Sequence, residues 1–78
     1  MKATEIERYL NDNGFYPDSV YETRNNTMEI TILDGDWSHE HGLCRHLMSK
    51  IGYERQDIDV IDSYGEDSFS AVHTYAKL

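Results

Sequence analysis

This chain of 78 residues has one cysteine, one proline, few bases and no long apolar run. Cys44 alone cannot close an intrachain disulfide, so the fold must hold without one, and a reducing cytosolic setting is expected. Seventy-eight residues leave no room for a second domain, so a single domain over 1–78 is expected. No segment approaches the roughly 20 apolar residues that span a bilayer. The opening MKATEIERYL carries acids at once and lacks the apolar segment of a secretory signal. Seven Lys and Arg stand against fifteen Asp and Glu, a formal charge of −8. That charge repels phosphate backbones and anionic membrane surfaces, which argues against nucleic-acid and membrane partners. A glycine-rich phosphate loop, a nucleophile elbow and an HExxH motif are all missing, so the expectation is a non-enzyme without a cofactor.

What is present reads as a folded α+β domain. Nine aromatics and clear periodicity separate the chain from acidic disordered sequences. Thr4-Glu5-Ile6-Glu7 fits a capping box, and Ile6 and Leu10 make a narrow apolar stripe. Gly14 followed by Phe15 fits a left-handed C-cap with its apolar contact, which predicts a helix over about 5–13. Val20–Arg24 and Thr27–Leu33 flank Asn25-Asn26 and predict a hairpin with a two-residue turn. That register puts Tyr21 opposite Ile30, with Ser19, Tyr21, Thr23, Met28, Ile30 and Ile32 on the core face. Asp34-Gly35-Asp36 punctuates the chain. A second helix follows over about Trp37–Ile51, capped by Gly52. A second hairpin, about Ile58–Tyr64 and Phe69–Ala76, surrounds Gly65-Glu66-Asp67. Ile58, Val60, Asp62 and Tyr64 alternate onto one of its faces, and Phe69, Ala71, His73 and Tyr75 alternate in the last strand. Arg8-Tyr9-Leu10 and Gly14-Phe15 are faintly echoed by Arg45-His46-Leu47 and Gly52-Tyr53. The expected architecture is αββαββ, a four-stranded antiparallel sheet with both helices packed on one face. Strand order and oligomeric state are not legible at this level.

The most distinctive stretch is GDWSHEHGLCRH, residues 35–46. His-x-His and Cys-x-His spacings invite a zinc reading. On a helix, however, Trp37, Cys44, Met48 and Ile51 share one side with His41 at its edge, while His39 and His46 lie opposite, about 10 Å apart along the axis. One tetrahedral ion cannot be reached by all four. Two readings remain: His41 and Cys44 with His73 as three metal ligands, or His41 hydrogen-bonded at a helix start beside Cys44 as a small core hydrophobe. If Asp36 is the N-cap, Trp37 falls in the first turn and is only partly covered, which makes it a candidate contact residue.

Glu54–Asp67 holds six acids against Arg55. Asp57-x-Asp59-x-x-Asp62 lacks the fifth-position oxygen and sixth-position glycine of a calcium loop. An acidic strand of this kind steers basic partners. Tyrosine is abundant, with six copies, and Tyr16, Tyr53 and Tyr64 are expected near the surface as amphipathic contact area. The runs ILDGDWSHEHGLCRHLMSKIGY and SYGEDSFSAVHTY resemble small uncharacterised acidic proteins of phages and conjugative elements of Gram-positive bacteria. That resemblance implies a bacterial cytosolic setting and an accessory role, with no residue role to carry over. The functional expectation is therefore an interaction module that presents Asp57, Asp59, Asp62, Tyr64 and Trp37 to a protein partner, possibly a basic one. Metal binding through His41, Cys44 and His73 is the alternative.

Overall fold

The first helix, α1, spans Ala3–Asp12. It starts two residues earlier than Thr4-Glu5-Ile6-Glu7 suggests, because the Glu5 carboxylate reaches back to accept from the Lys2 backbone N–H at 3.0 Å. Thr4 therefore lies inside the helix rather than capping it. Ile6 and Leu10 are buried, as their four-residue spacing requires. Gly14 stops the helix in the left-handed region at φ 82°, and the Phe15 N–H returns to the Leu10 carbonyl at 2.9 Å. The computed structural model describes residues 1–24 and 26–78. The expected Asn25-Asn26 turn rests partly on Asn25 and so lies outside the described residues.

Four strands follow: β1 (Ser19–Arg24), β2 (Thr27–Asp36), β3 (Tyr53–Ser63) and β4 (Ser68–Lys77). They form one antiparallel sheet in the order β1-β2-β4-β3. Each hairpin contributes its second strand to the centre, so β2 and β4 pair directly, with Ile30 opposite His73. Between β2 and β3 the chain makes a π-helical turn, Trp37–His41, that runs straight into α2, Gly42–Lys50. This is the expected αββαββ fold. Ile6, Leu10 and Phe15 from the α1 side join Cys44, Leu47 and Met48 of α2 over Met28, Ile30, Ile32 and Tyr75 in one core. Tyr9 ties the helices together by donating its hydroxyl to the Leu47 carbonyl at 2.6 Å. Among the described residues no helix is long and apolar enough to cross a membrane.

Bulges account for every departure from the predicted registers. In β1 the register slips between Glu22 and Arg24, so Val20 rather than Tyr21 stands opposite Ile30. One extra residue flips all preceding side chains, which turns Val20 toward the core and leaves Tyr21 64% exposed. In β2 the strand does not end at Leu33 but runs on to Asp36. Leu33 and Asp34 bulge between Ile32 and Gly35, with Asp34 at φ 51° and its N–H donating to Ser70 Oγ at 2.8 Å. In β3 the slips fall between Arg55 and Asp57 and between Val60 and Asp62. The second slip turns Asp62 away from Val60 and the helix layer, contrary to strict alternation. β3 also begins five residues earlier than expected, at Tyr53, which is buried rather than near the surface.

Candidate functional site

Two groupings carry the chemistry-bearing side chains, one inside the core and one on the open side of the sheet. The inner grouping is built by the start of α2. Asp36 is the N-cap, accepting from the Ser38 N–H at 3.2 Å, while Glu40 accepts from the Asp36 N–H at 2.6 Å. The reach is four residues rather than three because the first turn is a π-turn, closed by the Gly42 N–H donating to the Trp37 carbonyl. The wider turn carries His41 from the edge of the apolar stripe fully into the core, with 0% exposure. There its ring stacks on Phe69, centroids 3.9 Å apart and planes within 5°.

The hydrogen-bond partners of His41 select its tautomer. Nε2 faces two acceptors, the carbonyls of Gly35 at 3.2 Å and Phe69 at 3.0 Å, so Nε2 carries the proton and donates to both. Nδ1 is then an acceptor, and His73 Nε2–H donates to it at 2.7 Å. The hydrogen-bond chain ends at His73 Nδ1, a buried atom with no hydrogen-bond partner among the described residues. Burial, followed by the fields of His41 and Arg55, pushes the His73 pKa down to about 4. His73 is therefore neutral near pH 7, in the tautomer that His41 requires.

Of the three residues considered as metal ligands, the structure joins His41 and His73 directly, and both facing nitrogens are spent on each other. Cys44 lies in the same core beside Tyr75, and its thiol is pushed up to about 11, chiefly by burial. Burial likewise raises the Tyr75 hydroxyl, with the neighbouring Cys44 adding to the rise. Such a thiol stays protonated and unreactive. Among the described residues no group of three or more His, Cys, Asp or Glu side chains is placed to hold a metal ion. His39 and His46 are exposed, as the helical spacing requires.

Gly35 sets how closely β2 approaches this pair. A Cβ there would meet Ile32 Cγ2 at 2.8 Å and Glu40 Cβ and His41 Nε2 at 3.1 Å. Gly35→Ala must push the π-turn off the sheet, and a loss of about 1–3 kcal/mol is expected, read as a lowered urea midpoint. An unchanged midpoint would show that the turn has slack there.

The outer grouping follows from topology. With both helices on one face, no secondary-structure element among the described residues covers the other face. Across it run two rows, Tyr21–Glu29–Thr74–Asp57 and Ser19–Thr31–Val72–Asp59, with Asp62 beside Ser70 at the next level. The bulge at Ile61 is what brings Asp62 onto the same face as Asp57 and Asp59. Tyr64 folds over this end, its hydroxyl 3.4 Å from Ser70 Oγ. Asp57, Asp59, Asp62 and Tyr64 are therefore brought together, and Tyr21, which the sequence reading placed in the core, joins them. Trp37 does not. It is 47% exposed, but it packs on Phe69 and under the Arg55 guanidinium on the helix side of the sheet. The missed signal for Tyr21 was positional: nothing in Val20–Arg24 marks a bulge. No family model, curated protein or solved structure matches the chain.

Proposed function

We propose that this protein is a non-enzymatic interaction module of the cytoplasm, which presents the outer face of its sheet to a basic protein partner. One observation carries the reading: an uncovered sheet face on which Glu29, Asp57, Asp59 and Asp62 lie with two large exposed tyrosines, Tyr21 and Tyr64. Rigid tyrosines supply contact area at low entropic cost, and the acids supply steering and register. The buried trio His41, His73 and Cys44 is instead locked, with His41 and His73 bonded to each other and Cys44 kept protonated.

The test is capture from lysate by the wild-type protein and by the combined variant D57N/D59N/D62N, at low and high salt. Exposed ion pairs contribute about 0.2–1 kcal/mol each, so the variant should bind roughly tenfold more weakly and lose most of its salt dependence. Identical retention of basic proteins by both forms would remove this reading.

A further inference from the structure

Resting on the interaction reading above, we propose that the partner adds a strand to the free edge of β3, and that the strand alternates basic and apolar residues. Three observations converge on this edge. β3 is the outermost strand, pairs only with β4, and at eleven residues is nearly twice as long as β1, the other edge. Among the described residues, the only hydrogen bonds to its main chain beyond the β4 ladder are local. Gln56 Nε2 donates to the Glu54 carbonyl at 3.5 Å, and the Ser63 N–H donates to Asp62 Oδ1 at 2.9 Å. Between the two bulges, Asp57–Val60 is a regular stretch whose outward backbone groups form a ready template for pairing.

The two sides of this stretch differ in chemistry. Toward the helices stand Ile58, half-buried, and Val60, 51% exposed. Trp37 lies over the same stretch, because its ring touches Phe69 at one end and Arg55 at the other. Toward the open face stand Asp57 and Asp59, with Asp62 beyond the second bulge. An added strand inherits both sides. Its apolar residues continue the layer of Ile58, Val60 and Trp37, and the residues between them face the carboxylates and are held best when they are Lys or Arg. Arg55 does not neutralise those acids, since its guanidinium lies over Trp37 on the helix side. A second copy of this chain is the wrong occupant: antiparallel pairing of β3 with itself sets Asp57 opposite Asp59, and like charges directly across destabilise a pair.

The probe is the heptapeptide Lys-Val-Lys-Val-Lys-Val-Lys, titrated into 15N-labelled protein and compared with the same peptide N-methylated at successive central amides. Methylation keeps charge and side chains but removes the donors that pair with an edge, whichever direction the peptide runs. The unmethylated peptide is expected to slow hydrogen exchange at amides within Asp57–Val60, and methylation to weaken binding about tenfold or more. Equal affinity of both peptides, with both weakened in D57N/D59N/D62N, overturns strand addition but leaves the acidic-surface reading standing. Failure of both peptides to bind overturns strand addition, while the capture experiment judges the acidic surface by itself. A concentration-dependent dimer that protects the same amides without peptide overturns the proposal in favour of a second copy.

Discussion

Replacing His41 with alanine is expected to remove about 4 kcal/mol of folding stability and to lower the melting temperature by roughly 20 °C. The residue is fully buried and does three things at once. Its ring stacks on Phe69, and its Nε2–H satisfies the carbonyls of Gly35 and Phe69. Its Nδ1 accepts from His73. Alanine leaves a ring-sized cavity, two weakened carbonyls and a buried donor on His73 without a partner. A cavity of that size alone costs about 2–4 kcal/mol, and each orphaned buried polar group adds about 1–3 kcal/mol. A chain of this length has total stability on the order of 4–12 kcal/mol, so the variant should sit near its unfolding threshold. His46→Ala, on the exposed side of α2, should change stability by less than about 0.5 kcal/mol and is the matched control. Thermal unfolding by circular dichroism reads both, and a His41→Ala melt within a few degrees of wild type would refute the keystone role of this ring.

Acid should destabilise the fold through His73 before the carboxylates finish titrating. The unfolded chain binds a proton at this side chain near pH 6.5, whereas the folded chain resists until about pH 4. Between those values the unfolded state holds more protons, so the contribution is fully present above pH 6.5 and is lost as pH falls toward 4. The difference corresponds to about 3 kcal/mol. The cause is geometric: a second proton on His73 would sit on buried Nδ1, which faces no acceptor among the described residues, beside the core residues Cys44 and Tyr75 and within the field of the Arg55 guanidinium. His73→Gln keeps a donor for His41 but cannot titrate. Urea unfolding at pH 7.5 and 4.5 should therefore show a smaller acid loss in this variant than in wild type, by about 2–3 kcal/mol. Parallel losses in the two proteins would mean that His73 protonates without penalty.

These two expectations rest on a residue pair that sequence reading placed together only as one option. The four-residue spacing of Ile6 and Leu10, the left-handed glycine at 14 and the alternation of Phe69, Ala71, His73 and Tyr75 were all local, and the structure repeats them. The helical arrangement of Trp37, Cys44 and Met48 was local too, but it put His41 at the rim. The π-turn drew His41 inward, and no residue in WSHEH announces an extra residue in a turn. The acidic strand was legible as composition, yet its division between two faces was not. Alternation alone groups Asp62 with Ile58 and Val60, whereas the bulge at Ile61 sends it to join Asp57 and Asp59.

By itself, the sequence determined the element order, the α+β class, the absence of a disulfide and the strong negative charge, because periodicity, caps and composition act over neighbouring residues. Only the tertiary structure decided the strand order, the meeting of His41 with His73 and the exposed edge at β3. It also decided which side chains face water on the open sheet. The physical reason is that pairing partners and bulges are chosen between strands far apart in the chain. One inserted residue costs little locally, but it reverses the face of every side chain beyond it.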